Sequence, residues 1–211
     1  MAHRFYPEVL PSPQAKVWSQ LKNQSSWIRK HGFYLAGGTA LALQLGHRQS
    51  VDFDFFSRKK KTGVDARSWL EGFSKHILRE ADADTVHGEI SGVKVSLIGA
   101  YAYPLAGKFI TIDGVNIANT FEIALMKLLA ITHRATLRDY IDLAAVLERG
   151  IGLHELLQGC RKKYGKNFNI LLPLRSLVSF DDLDAEMPVL LDKSLASSWK
   201  KILRQAVREI S

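Results

Sequence analysis

The chain has 211 residues, of which 46% are hydrophobic and 24% charged, a composition typical of a globular protein that buries its own core. The single cysteine excludes an internal disulfide, and no apolar run is long enough to span a bilayer, so we expect a cytoplasmic protein without membrane contact. A formal net charge of +8 favours a polyanionic partner, although the basic run at residues 58–61 is also typical of a solvated loop.

The first part of the chain alternates between helices and short strands. Hydrophobic periodicity and turn residues predict a helix at 12–30, a strand at 33–36, a Gly-Gly turn, a helix at 39–45 and a strand at 51–56. The last strand alternates strictly, with Asp52 and Asp54 on one face and Val51 with two phenylalanines on the other. Residues 63–80 then have helical spacing and predict a further amphipathic helix.

The second part changes from strands to helices. Strands are predicted at 85–90, 93–99 and 109–117, with hairpin turns at Ser91-Gly92 and Asp113-Gly114. Asn119 with Glu122 resembles a capping box, and helices are predicted at 120–133, 137–148, 153–164 and 194–210. We therefore expect an α+β fold, a mixed sheet flanked by helices within residues 1–118 followed by a helical lobe, 119–211, that closes one side of a cleft.

Two carboxylates separated by one residue offer a metal site. On a strand, Asp52 and Asp54 point to the same side with Cα atoms about 6.6 Å apart, at a rise of about 3.3 Å per residue. Magnesium prefers hard oxygen ligands and usually binds one or two carboxylates together with substrate phosphates. The pair therefore predicts half of a magnesium site, although such pairs are also common at solvated strand ends.

The segment before this pair suits a phosphate chain. Gly37, Gly38 and Thr39 lie between a strand and a helix start, where backbone N–H groups and the helix dipole attract anions. Glycine allows phosphate to approach the backbone closely. The Thr39 hydroxyl has two possible roles, a phosphate contact or a helix cap, and the Gly-Gly pair by itself is also compatible with a plain turn.

Three motifs together carry a family resemblance. The run GGTALALQLGHRQSVDFDFF (37–56), the run KLLAITHRATLRDYIDL (127–143) and the run LRSLVSFDDLDAE (174–186) resemble the AbiEii/AbiGii-type nucleotidyltransferases of the DNA polymerase beta superfamily. The resemblance covers residues 33–187. It implies a polymerase-beta-like core, Mg²⁺ as cofactor and a nucleoside triphosphate (NTP) as co-substrate. It also implies a toxin with a cognate antitoxin, and an acceptor such as tRNA or another RNA.

The resemblance assigns roles residue by residue. It implies that Gly37, Gly38 and Thr39 hold the nucleotide phosphates and that Asp52 and Asp54 bind magnesium. It also implies that Arg48 steadies the phosphates or the motif loop, the segment 46–50 between the predicted helix and strand. His47 and Ser50 also match the pattern, and we expect each to make an ordering hydrogen bond.

The position of Lys127 agrees with this assignment. Its helical neighbours are apolar, and a lysine without a partner is costly there, so an anionic group should meet it. A nucleotide phosphate would serve, and so would Asp139 or Asp142, which share a face of the next helix. We count these three residues as catalytic candidates, with a structural ion pair as the alternative for the two aspartates. Arg134 and Arg138 fit scaffolding or acceptor contacts.

One feature departs from the superfamily pattern. Polymerase-beta-like enzymes often carry a third carboxylate on a later strand, but the predicted strand at 93–99 has Ser96 where that acid is expected. Either Asp139 or Asp142 acts as base, or the acceptor needs no strong base, or activity has been lost; Glu89 is a weaker substitute. The departure motivates a second hypothesis, a catalytically inactive nucleotide- or RNA-binding protein on the same fold.

Overall fold

A computed structural model describes residues 4–134, 136–181, 183–184 and 186–210 of the chain. Ala135, Asp182 and Ala185, which belong to the second and third motif runs, lie outside the described residues. The strands are β1 Tyr34–Ala36, β2 Phe53–Phe56, β3 His76–Ala81, β4 Thr85–Ile90, β5 Val93–Ile98, β6 Ile110–Ile112 and β7 Val115–Ile117. The α-helices are α1 Ser12–Asn23, α2 Ser25–Lys30, α3 Gly37–Leu45, α4 Gly63–Glu71, α5 Thr120–Ala130, α6 Leu137–Glu148, α7 Leu153–Tyr164, α8 Leu171–Ser176 and α9 Leu195–Arg208.

The strands of the described residues form one mixed sheet in the order β3-β4-β5-β2-β1-β7-β6. Strand β2 pairs antiparallel with β1 and parallel with β5, and β1 pairs parallel with β7. The remaining pairs are antiparallel hairpins. This mixed sheet with flanking helices confirms the predicted α+β class, and it places β2, which carries Asp54, in the middle.

Local turn and cap chemistry agrees with the sequence. Ser91 and Gly92 have φ angles of 51° and 80°, and Asp113 and Gly114 have 50° and 79°, positive at both central positions as a type I′ turn requires. The Asn119 side chain accepts a hydrogen bond from the Glu122 backbone N–H at 2.8 Å, which caps α5. Helices α6 and α7 have the predicted bounds.

Three predictions of local structure are wrong. The helix predicted at 12–30 is interrupted at Gln24, and the helix predicted at 63–80 ends at Glu71, after which residues 76–81 form β3. Strand β3 is an edge strand whose pairing with β4 decides its conformation, and a local spacing rule does not detect such a tertiary partner. Val51 was predicted to share the apolar face of β2, but β2 begins at Phe53 and Val51 is exposed.

Helix α3 lies at the centre of the molecule. Its residues from Thr39 to Leu43 are buried, and it packs against β1, β2, α5 and α6. Helix α9 covers α6 with the apolar face formed by Leu195, Trp199 and Leu203. Because α3 contacts both the sheet and the later helices, its first turn is held between them. The predicted division into two lobes near residue 118 stays a prediction.

None of the helices that the structure describes combines the length and apolar character needed to cross a bilayer.

Candidate active site

A polar cavity of about 150 Å³ lies beside the first turn of α3. Its lining includes seven of the predicted site residues, namely Gly38, Thr39, Arg48, Asp52, Asp54, Lys127 and Asp139. Ser50, Arg134, Thr136 and Arg138 also line it. The fold therefore brings together, on one surface, residues that are up to 101 positions apart in the chain, from Gly38 to Asp139.

The two predicted metal ligands lie at the start of β2. Asp54 is in the strand, and Asp52 comes just before it with a side chain that is 36% exposed. Burial raises the pKa of Asp54, and the neighbouring charge of Asp52 raises it further, while Ser96, Lys127 and Arg134 act against the rise. Both carboxylates line the same cavity, and the repulsion between them favours a cation there.

The glycines of α3 are required by contacts with site residues. Helix α3 begins at Gly37, two residues earlier than predicted, and Gly37 has a positive φ of 68°. A Cβ atom on Gly37 would lie 2.9 Å from Asp54 Oδ2, and one on Gly38 would collide with Arg48 Nη2. The bare backbone at the helix start therefore leaves room for the carboxylate and the guanidinium of the site.

Thr39 and Ser50 order the loop that carries Asp52. The Thr39 hydroxyl lies 2.7 Å from Ser50 Oγ and also donates to the backbone carbonyl of Asp52. Both hydroxyl-bearing residues are buried. The hydroxyl of Thr39 is thus engaged inside the protein, and Ser50 makes the ordering contact expected of it.

Asp142 is a completely buried carboxylate surrounded by donors. Arg48 forms a bidentate pair with it, at 2.7 Å from Nε to Oδ1 and 2.9 Å from Nη2 to Oδ2, and His47 Nε2 lies 2.7 Å from Oδ1. Lys127 Nζ lies 2.7 Å from Oδ2. Burial alone would raise the pKa of Asp142, but Arg48 and Lys127 hold it well below its usual range. Arg48 therefore ties the motif loop to α6.

Lys127 bridges both aspartates of α6. Its Nζ lies 2.6 Å from Asp139 Oδ1 as well as 2.7 Å from Asp142 Oδ2, and the side chain is buried. Arg134 adds a second cation to Asp139, at 2.8 Å. The ion pair that the sequence allowed for Lys127 is therefore formed. Lys127 and Asp139 also line the cavity, whereas Asp142 lies behind them and contacts Lys127.

The position expected for a third carboxylate is occupied by Ser96. Ser96 on β5 is the register partner of Asp54. Glu89, the weaker substitute, is held in an ion pair with Arg79 at 2.8 Å. Within the described part of the chain, no group of three or more His, Cys, Asp or Glu side chains could hold a metal.

One part of the site carried no sequence signal. The backbone of residues 189–191 pairs with the motif loop, through Gln49 N to Val189 O at 2.8 Å and Leu191 N to His47 O at 2.9 Å. These contacts hold His47 and Arg48 in place through main-chain atoms, which leave no residue-type pattern to recognise.

A mixed sheet with Asp54 at its centre, facing the glycine-containing start of α3, is the arrangement that the motif resemblance implies for a nucleotidyltransferase. The chain belongs to the family described as the nucleotidyl transferase AbiEii toxin of type IV toxin–antitoxin systems, which it matches over residues 28–116 and 109–210. The protein is thus a nucleotidyltransferase of a toxin family. This confirms the family resemblance drawn from the three motifs.

Individual proteins resemble the chain in sequence or in fold. A protein of Aquifex aeolicus strain VF5, the uncharacterised aq_aa25, is 35% identical over 160 residues, covering 74% of this chain and 77% of the relative. The fold is similar to that of MenT4, a nucleotidyltransferase toxin of Mycobacterium tuberculosis H37Rv, with a TM-score of 0.66, 17% identity and coverage of 92% and 82%. JHP933 from Helicobacter pylori gives a TM-score of 0.52 at 19% identity, covering 92% of this chain and 90% of that one.

Proposed function

We propose that the protein is a magnesium-dependent enzyme that transfers a nucleoside monophosphate from an NTP to an acceptor hydroxyl of RNA, with tRNA favoured. It would act in the cytoplasm as the toxin of a toxin–antitoxin pair. The observation that carries the proposal is that Asp52 and Asp54 share one polar cavity with the start of α3 and with Lys127.

The residues present fit a magnesium ion. Asp52 and Asp54 offer hard carboxylate oxygens, and two protein carboxylates completed by phosphate oxygens and water are a usual magnesium environment. Absence of a Cβ at Gly37 keeps the space beside Asp54 Oδ2 free. When bound, Mg²⁺ would neutralise the phosphates and polarise the α-phosphorus for attack.

The protein's own residues would bind and orient the triphosphate. The first turn of α3 presents backbone N–H groups without side chains at Gly37 and Gly38, and the helix dipole adds positive potential there. Arg134 and Arg138 stand at the cavity with side chains 61% and 47% exposed, so each can turn toward a phosphate. Lys127, whose ammonium group Asp139 and Asp142 hold in place, supplies a positive charge that is already positioned before the nucleotide binds.

A basic surface supports a nucleic acid as acceptor. The face of α9 opposite its packed apolar side carries Lys200, Lys201, Arg204 and Arg208, all exposed. Arg204 lies 5.0 Å from the ring of Phe180, and Lys200 lies 5.7 Å from the same ring. Cations beside an aromatic ring suit a phosphate backbone with unstacked bases.

The experiment is a transfer assay. The protein is incubated with Mg²⁺, each of the four NTPs labelled at the α-phosphate, and total RNA. We expect label in the RNA, lost in Asp52→Ala and Asp54→Ala and retained in Asp113→Ala, whose carboxylate lies away from the cavity beside Lys22 at 3.4 Å. Equal labelling by the wild type and Asp52→Ala, or none by either, would contradict the proposal.

A second candidate rests on Ser96. Because the third carboxylate is missing, the protein could bind nucleotide or RNA without transferring anything. Tight NTP binding with no transfer to RNA, protein or small-molecule hydroxyls would favour this inactive binding protein.

A further inference from the structure

Three polar side chains form a row across the middle of the sheet. Asp54 on β2 is the register partner of Ser96 on β5, and Ser96 is the register partner of His87 on β4. Register partners on neighbouring strands project from the same face, so the three side chains lie side by side. His87 Nδ1 lies 3.1 Å from Ser96 Oγ.

The donors and acceptors along the row fit one tautomer of His87. Hydrogen bonding by Ser96 acts to lower the pKa of Asp54, as a hydroxyl that donates to the carboxylate would. A serine whose proton points to Asp54 accepts from His87 Nδ1, which leaves the lone pair of the imidazole on Nε2.

The row extends away from the phosphate cavity. That cavity lies on the side of Asp54 formed by α3, α5 and α6, while Ser96 and His87 continue on the side formed by β5 and β4. His87 and Ser96 are half-buried, so a ligand on this face can touch them. A nucleotide bound in the cavity and an acceptor lying on the β4–β5 face would meet at Asp54.

We propose that His87 is the general base that accepts the proton of the acceptor hydroxyl, with Ser96 as the positioning residue that joins it to Asp54. This inference rests on the proposed function. The acceptor O–H bond breaks and its proton goes to His87 Nε2, while the oxygen forms a bond to the α-phosphorus. The bond from that phosphorus to the pyrophosphate oxygen breaks, and pyrophosphate leaves with the electron pair.

The surroundings of His87 are mostly acidic. Glu80 on β3 is its register partner, Glu89 is two residues along its own strand, and Asp82 interacts with it electrostatically. Lys94 on β5 and Arg79 on β3, the latter paired with Glu89, are the neighbouring cations.

The test compares His87→Asn with His76→Asn in steady-state transfer kinetics. Asparagine keeps a donor near the Nδ1 position, so the contact with Ser96 survives while the base is lost; His76 is an exposed histidine on β3. We expect kcat to fall by about 100-fold or more in His87→Asn, with the KM for NTP unchanged and the acid limb of the pH profile lost. His76→Asn should behave as wild type.

A second pair of variants decides the matter if His87→Asn does not fold. Ser96→Ala should lower kcat and alter the acid limb, and Ser96→Thr, which keeps the hydroxyl, should restore both. Wild-type kcat and pH profile in His87→Asn, or in Ser96→Ala, would overturn the inference. If Asp52→Ala abolishes transfer in the same assay, the proposed function survives that result; if it does not, the function itself has failed.

Discussion

The guanidinium of Arg48 and the carboxylate of Asp142 form a buried bidentate ion pair, with distances of 2.7 and 2.9 Å, that joins the loop before β2 to helix α6. The same carboxylate holds Lys127 and His47. Because this one carboxylate of α6 holds residues of two other segments, the loop before β2 and α5, its loss should affect stability and activity together.

Asp142→Asn should lower the free energy of unfolding by about 3–5 kcal/mol, because Arg48 and Lys127 would be left buried with less negative charge. Denaturant unfolding measures this. The control is Glu71→Gln, which breaks the exposed pair with Arg67 at 2.8 Å and should cost less than about 0.5 kcal/mol. Similar losses of unfolding free energy in the two variants would show that Asp142 does not hold these segments together.

Stability should fall with acid in two separate ranges. Burial lowers the pKa of His47, so its unfolded form binds the proton more tightly and stability drops as pH falls below about 6.5. The pKa of Asp142 is depressed by Arg48 and Lys127, so its contribution is present above about pH 4 and is lost below.

His47→Gln should therefore remove the decline between about pH 6.5 and 4, whose slope is at most about 1.4 kcal/mol per pH unit, and keep the decline below pH 4. Unfolding curves across pH measure this, with the exposed His154→Gln as control. An unchanged slope between pH 6.5 and 4 in His47→Gln would refute the assignment.

Gly37→Ala should lower transfer by about 100-fold, because the added methyl displaces the Asp54 carboxylate. Gly92→Ala is the matched control, since Gly92 also has a positive φ, of 80°, but nothing lies within 4 Å of its added Cβ. Both variants should lose about 1–2 kcal/mol of stability from backbone strain. Equal activity in the two variants would mean that Gly37 is needed only for its backbone conformation and not for the space beside Asp54.

Arg138→Gln should raise the KM for NTP by about 10-fold and leave the melting temperature unchanged, because the side chain is 47% exposed and reaches the cavity near Asp52. Steady-state kinetics with Arg67→Gln as the control measures this. A KM equal to that of the wild type would mean that Arg138 does not contact the bound NTP.

Most residues that line this cavity could be named from the sequence, because the patterns that point to them are local; their roles stay predictions. The spacing of Asp52 and Asp54, the glycines at 37 and 38, and the lysine on an apolar helix each have a direct physical meaning. The choice between phosphate and aspartate as the partner of Lys127 depended on how α5 and α6 pack, which spacing does not reveal. The contact between His87 and Ser96 required the register of β4 and β5, and β3 was mistaken for helix because an edge strand takes its conformation from its neighbour.

The central claim is that Asp52 and Asp54 hold one divalent cation against a triphosphate at the start of α3. A crystal structure with Mn²⁺ and a non-hydrolysable NTP tests it most directly, since the anomalous signal locates the ion. The account predicts Mn²⁺ bound by oxygens of both aspartates and of the triphosphate, with phosphates near Gly37 and Gly38. Mn²⁺ bound elsewhere, or a triphosphate held without either carboxylate, would contradict it.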